Sequence, residues 1–221
     1  MTTVSWRPMN AEVVARLRRE YEDTGLSQED LAGDPMVQFR QWFNAAVDAG
    51  IEEGNAFILS TVNGDGQPSA RAVLMKDYDD DSFVFHTNLE SQKSLEIAAN
   101  PRVAATFLWL PLHRQVRFGG LAIRISEEKA DAYFATRPRG AQIAAHASNQ
   151  SRPAPDREYL ESIFADTDVR FGEVVPRPAH WGGWKITPHV AEFWQGRPNR
   201  FHDRFRYTRS DDGWLVERLQ P

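Results

Sequence analysis

The chain has 221 residues, 41% of them hydrophobic, which is long and apolar enough for one substantial domain with a real core. Its 31 acidic and 26 basic residues give a net charge of -5, which argues against a general nucleic-acid or anionic-membrane binder. There is no cysteine, so disulfides, thiolate nucleophiles and cysteine-ligated metals are excluded, and redox chemistry would need a bound organic cofactor.

No apolar run is long enough to span a membrane, and the opening MTTVSWRPMN lacks the hydrophobic segment of a secretory signal; a cytoplasmic location is the default expectation. Val13, Val14, Leu17 and Tyr21 recur at helical spacing and predict a short amphipathic helix over residues 10–24. Asp34 and Pro35 then suit the N-cap and N1 positions of a second helix, with Phe39, Trp42, Phe43 and Val47 as its apolar stripe. From Ala56 the pattern changes to short β-branched and aromatic runs, AFILSTV, SARAVLMK and SFVFHT, separated by NGDG and DYDDD turns. A brief helix over 91–99 precedes two strands, RVAATFLWL and RQVRFGGLAIRI, around Pro111. Helices are expected from Ser126 to near Thr136, over 142–147 and over 156–171, followed by strands WGGWKIT, VAEFWQ, RFRYT and WLVERL. Strands outnumber helices and meet through hairpins, and no strand leads into a Gly-rich phosphate loop. The expected fold is a mainly β, antiparallel barrel or half-barrel with peripheral helices, in a single domain spanning 1–221.

Several clusters have the composition of a ligand site. Arg71 and Lys76 sit five apart on one strand, which sends them to opposite faces unless a bulge, a strand end or a second subunit intervenes. Two cations flanking a buried strand is the reading their spacing alone favours. Thr87 ends a strand and leads into NLESQKS, whose hydroxyls, amide and Lys93 at a helix start suit a phosphate, although Ser and Thr there usually only cap. Gln115 offers an amide in HRQVRFGG, and Tyr133 and Arg137 are helical neighbours able to hold a phosphate. Gln150 and Ser151 are polar candidates closing ASNQS. In EFWQGRPNRFHDR, Arg200, His202 and Arg204 alternate with period two, which predicts one cationic strand face requiring an anionic or electron-rich neighbour; a solvated basic edge strand is the alternative. The six histidines have no HExxH or comparable spacing, so no metal site is expected, and no serine sits in a GxSxG elbow.

Taken together, LRREY, DPMVQFRQW, RAVLMK, TNLESQKS, NPRVAATFLW, RQVRFGG, YFATRPRG, ASNQS, WGG, EFWQGRPNRFHDRF and ERLQP resemble, in collinear order over almost the whole chain, the pyridoxine (pyridoxamine) 5'-phosphate oxidase family, FMN enzymes of vitamin B6 metabolism. The resemblance implies a split β-barrel homodimer with two FMN sites at the subunit interface, each lined by both chains. Residues 1–33 would supply an N-terminal lid segment and 172–221 a dimerisation and active-site segment. Carried over by position, FMN contacts fall on Arg71, Ala72, Val73, Leu74, Met75, Lys76, His86, Thr87, Gln92, Lys93, Gln115, Gln150, Ser151, Trp194 and Arg204, with Arg71 and Lys93 countering the phosphate. The substrate's phosphate would fall to Lys76, Tyr133 and Arg137, with Ala141 where a serine is frequent. Arg200 and His202, on either side of Phe201, would flank the pyridine ring as the catalytic pair, and Arg18, Arg19, Glu20 and Tyr21 would belong to the lid. Gln92, His86 and His146 stand where arginine, tyrosine and tryptophan are frequent. The implied reaction is oxidation of pyridoxine or pyridoxamine 5'-phosphate to pyridoxal 5'-phosphate, with oxygen reduced to hydrogen peroxide. The alternatives are a phenazine-pathway-type flavin oxidase and a non-catalytic flavin, heme or pyridoxal-phosphate binder on the same barrel.

Overall fold

A computed structural model describes Tyr21 and residues 25–221. The helix expected over 10–24, with Arg18, Arg19 and Glu20, lies outside the described residues except for Tyr21. The first described helix, α1 (Pro35–Asp48), begins as its sequence dictates: the Asp34 carboxylate accepts from the Met36 and Val37 amides, and Pro35 takes a position that needs no amide donor. Eight strands follow: β1 (Ala56–Val62), β2 (Pro68–Tyr78), β3 (Phe83–Asn88), β4 (Arg102–Trp109), β5 (Arg114–Arg124), β6 (Trp181–Gln195), β7 (Asp203–Ser210) and β8 (Gly213–Leu219). Between them lie α2 (Gln92–Ala99), α3 (Glu127–Ala135), α4 (Arg139–Ala147) and α5 (Arg157–Asp168).

All strand pairings are antiparallel, in the order β3-β2-β1-β4-β5-β6-β7-β8, and β3 also pairs with β6. That extra pairing closes β1 to β6 into a six-stranded barrel and leaves β7 and β8 as an extension, the architecture of a split barrel. Strand β6 makes this possible by changing neighbours: residues 181–186 pair with β3, and residues 190–195 pair with β7. The sequence predicts two strands here, broken near Pro188. The structure has one, because β5 absorbs the interruption: Gly119 faces Val190 and Gly120 faces Pro188, leaving His189 as a bulge. A methyl group on Gly120 would stand 2.5 Å from the Thr187 carbonyl oxygen, so glycine is required at this bend.

The barrel interior is aromatic. Phe57, Phe83, Phe85, Phe107, Phe118 and Phe193 are all essentially inaccessible to solvent, as period-two alternation within the strands predicts. Helix α1 plugs one end: Phe39 lies 4.8 Å from Phe107 and 5.3 Å from Phe118, and Trp42 meets Phe193 edge-on at 5.3 Å. Burying each such ring stabilises the fold by roughly 1.5–3 kcal/mol. A smaller core of Phe134, Ile143, Val175 and Trp181 holds α3 and α4 against the start of β6.

Candidate active site

A cavity of about 590 Å³ opens between β2, β3, the start of α2 and the α3–α4 turn. Ten residues singled out from the sequence line it: Ala72, Val73, Leu74 and Lys76 from β2, His86 and Thr87 from β3, Lys93, Tyr133, Arg137 and Gln150. Lys76 reaches it through a bulge, since Met75 pairs with Phe85 and Asp77 with Val84, leaving Lys76 as the extra residue. This is one of the devices that the odd spacing from Arg71 demanded.

Lys93 forms one cationic pole. It is 9% exposed, and its ammonium donates to Thr87 Oγ1 (3.2 Å), Ser91 Oγ (3.1 Å) and Gln150 Oε1 (2.9 Å), with no carboxylate among these partners. Burial, with the nearby Arg71 charge, pushes its pKa down to about 8. Arg71 does not line the cavity; it stands behind this pole, donating to Thr61 Oγ1 (2.5 Å) and Ser69 Oγ (2.6 Å) and pairing with Glu96 at 3.4 Å. Gln92 donates to Glu96 Oε1 (2.9 Å), and its own amide donates to Ser151 Oγ (3.2 Å), so Gln92 and Ser151 meet at the α2 N-terminus.

Arg137 forms a second pole. Its guanidinium lies 4.6 Å over Trp181, and its Nη1 is buried without a hydrogen-bond partner among the described residues. Tyr133 and Arg137 share the cavity, but not as neighbours on one continuous helix: α3 ends at Ala135, Thr136 caps it, and Arg137 begins the turn into α4. His86 stacks on Tyr133 at 4.0 Å and on Trp181 at 5.3 Å. Both its ring nitrogens are buried and have no hydrogen-bond partner among the described residues. Burial, then the charges of Arg137 and Lys76, push its pKa down to about 4, so this imidazole is neutral near pH 7.

The remaining candidates collect elsewhere. Gln115, Trp194 and Arg204 lie on three adjacent strands in a single cross-strand row, Gln115 facing Trp194 and Trp194 facing Arg204. With Tyr21 and His113, Gln115 and Trp194 line a second cavity of about 280 Å³. His202 packs on Trp194 at 4.6 Å, and Tyr21 lies 5.8 Å from it. The Arg197 amide donates to His202 Nδ1 (3.1 Å), so the neutral ring carries its proton on Nε2. Burial and then Arg200 lower the His202 pKa.

The cationic strand face expected of Arg200, His202 and Arg204 does not form. Arg200 lies in a short 3-10 turn (Pro198–Arg200), where it and Asn199 both have positive φ, and the strand begins only at Asp203. Arg204 already has an internal anion: its Nε and Nη2 donate to Glu192 Oε1 at 2.9 and 2.8 Å. Met75 is turned into the barrel core, Phe201 is 76% exposed, and Ala141, in the first turn of α4, does not line the larger cavity. Sequence reasoning missed Asn88, Ser148 and Trp181 in that cavity, and Glu96 and Glu192 behind the arginines. Trp181 had a signal in WGG; the glutamates had none, because their partners lie 25 and 12 residues away.

Fold and site thus define an antiparallel split barrel with a cation-lined cavity between sheet and helices. Residues 43–169 match the family model described as pyridoxamine 5'-phosphate oxidase, and residues 181–221 match that of the pyridoxine 5'-phosphate oxidase C-terminal dimerisation region. A pyridoxine/pyridoxamine 5'-phosphate oxidase of Rubrobacter xylanophilus is 54% identical over 94% of this chain and 96% of its own, and one of Cupriavidus pinatubonensis is 50% identical over 94% and 99%. Among solved structures, PhzG from Burkholderia lata, in complex with tetrahydrophenazine-1-carboxylic acid, superposes with a TM-score of 0.84 at 28% identity, over 90% of this chain and 98% of its own. The chain belongs to the pyridoxamine 5'-phosphate oxidase family.

Proposed function

We propose that the protein is an FMN-dependent oxidase that converts pyridoxine 5'-phosphate and pyridoxamine 5'-phosphate to pyridoxal 5'-phosphate, acting as a homodimer. The observation that carries this reading is that one cavity holds two cationic poles, Lys93 at the α2 N-terminus and Arg137 with an unpartnered buried nitrogen beside Tyr133 and Lys76. Buried cations without carboxylates fit phosphate groups, and two poles fit a phosphorylated cofactor together with a phosphorylated substrate. Lys93, backed by Arg71, would hold the FMN phosphate; Lys76, Tyr133 and Arg137 would hold that of the substrate.

The chemistry FMN would supply when bound is acceptance of a hydride from the substrate's C4' carbon and return of that electron pair to oxygen, which with the hydride's hydrogen and the proton lost from the substrate's hydroxyl or amine leaves as hydrogen peroxide; from the amine the resulting imine is hydrolysed by water to aldehyde and ammonia. The chain's contribution is positioning and electrostatics. His202, with Nδ1 occupied and its proton on Nε2, acts toward the pyridine ring as a hydrogen-bond donor. Arg200 has a guanidinium with donors and no acceptor, so it would supply charge rather than a base. The row of Gln115, Trp194 and Arg204 lies outside the larger cavity, and the match of 181–221 to a dimerisation region supports a site in which a second copy brings that row and His202 to the cavity.

The likeness to PhzG supports a second reading, a flavin oxidase acting on a phenazine precursor. Lys76, Tyr133 and Arg137 in the cavity favour the phosphorylated substrate. The test is to supply purified, FMN-loaded protein with each B6 phosphate in air. Stoichiometric pyridoxal 5'-phosphate and peroxide are expected; bound FMN without either product contradicts the proposal.

A further inference from the structure

Two side chains expected near the FMN phosphate, Arg71 on β2 and Gln92 on α2, converge on one carboxylate. Glu96 is only 6% exposed, one turn beyond Gln92 on α2. Its Oε2 accepts from Thr61 Oγ1 (2.5 Å), Ser69 Oγ (2.8 Å) and Arg71 Nη2 (3.4 Å), and its Oε1 accepts from Gln92 Nε2 (2.9 Å). The Thr61 and Ser69 hydroxyls, the other side-chain acceptors of the Arg71 guanidinium besides the Leu59 and Ser69 carbonyls at 3.4 and 3.5 Å, are therefore themselves donors to Glu96. Arg71 is held on two hydroxyls and a carboxylate that belong to a single network joining β1, β2 and α2. Such a network fixes a long cationic side chain before its ligand arrives, removing the rotamer entropy that binding would otherwise cost. It also changes the charge: Lys93 in the cavity and Arg71 behind it supply two positive charges, and Glu96 offsets one.

We propose that Glu96 is a positioning residue of the phosphate cradle, holding Arg71 and Gln92 in place and setting the cradle's net charge, so that this buried carboxylate governs the preference for phosphorylated over unphosphorylated flavin. The inference rests on the reading of the Lys93 pole as the FMN phosphate site. The two roles of the carboxylate act in opposite directions and separate in two variants. Glu96→Gln keeps an acceptor for Thr61, Ser69 and Arg71 and lets Gln92 turn its amide, but adds one unit of positive charge near the phosphate. Glu96→Ala removes the carboxylate that orients the Thr61 and Ser69 hydroxyls, and so loosens Arg71 on its remaining acceptors.

The experiment is titration of FMN and of riboflavin, which lacks the phosphate, into flavin-free protein, followed by quenching of flavin fluorescence. For Glu96→Ala, FMN affinity should fall by about tenfold or more, in proportion to a lost charge-assisted network. For Glu96→Gln, FMN affinity should rise by roughly three- to tenfold, an increase that fades with added salt. Riboflavin affinity should stay within about twofold of wild type in both, a change too small for a phosphate contact. FMN affinity unchanged in both variants, or FMN and riboflavin weakened by the same factor, would overturn the proposal; equal losses are the mark of a purely structural role. A wild-type protein that binds riboflavin as tightly as FMN would overturn the phosphate assignment of the Lys93 pole together with it.

Discussion

Lys93 links its surroundings to a measurable pH dependence. A lysine whose pKa is about 8 in the flavin-free protein is largely neutral above that pH, whereas holding a phosphate requires the ammonium. Binding above pH 8 must then be accompanied by proton uptake. FMN affinity should be nearly constant between about pH 7 and 8, where the phosphate is a dianion, and fall by up to about tenfold per pH unit above that, as measured by flavin fluorescence titration. The contribution to stability has the opposite sign. With the folded pKa depressed below the ordinary 10.5, the unfolded chain binds more protons between pH 8 and 10.5, so the penalty of burying Lys93 is full below 8 and is relieved as pH rises through that window. An affinity that does not change from pH 7 to 10 would remove Lys93 from the phosphate site. The placement of Lys93 at a helix start among hydroxyls and an amide was legible in TNLESQKS, although the same pattern also suits simple capping. Glu96 and Glu192 were not, since a glutamate's pairing depends on which strand or helix the fold sets beside it, and charge spacing along one chain does not encode that.

Among the elements, β6 does most to locate the site. Its first residues bring Trp181 under Arg137, its last bring Trp194 beside His202, and the bulge at Gly119 and Gly120 lets one strand serve both ends. Gly120→Ala would press a methyl group against the Thr187 carbonyl, destabilising the fold by about 1–3 kcal/mol, comparable to overpacking a core. Gly140→Ala, in the first turn of α4, where an added methyl group meets no described atom within 4 Å beyond its own helix backbone and chain neighbours, is the control and should leave stability unchanged or raise it by up to about 1 kcal/mol. Thermal unfolding of the two variants checks the difference, and equal midpoints would show that the bend tolerates a side chain. Helix α1 and the hairpins were readable from caps, turn residues and alternation, which are local. The continuity of β6 across Pro188 was not, because a proline ordinarily ends a strand and only the glycines of β5 make this one acceptable. The same locality explains Arg200, His202 and Arg204: period two holds only within a strand, and the positive φ of Asn199 and Arg200 places the first of them in a turn.

At the scale of the whole molecule, the larger cavity and the row of Gln115, Trp194 and Arg204 are two halves of one site if two copies complete it. Exchange of subunits tests this. A Lys76→Ala, Arg137→Ala chain and an Arg200→Ala, His202→Ala chain are each expected to be inactive. Mixed dimers would contain one intact site, so random exchange should restore about a quarter of wild-type activity, half the dimers having one of two sites whole. No recovery would mean that each chain builds its own site. Oxidation of phosphorylated B6 vitamers by this barrel through a bound flavin can be watched by anaerobic mixing of the FMN-loaded protein with pyridoxine or pyridoxamine 5'-phosphate. The flavin absorbance should bleach with at least one of them and return when oxygen is admitted; a flavin that stays yellow with both contradicts the account.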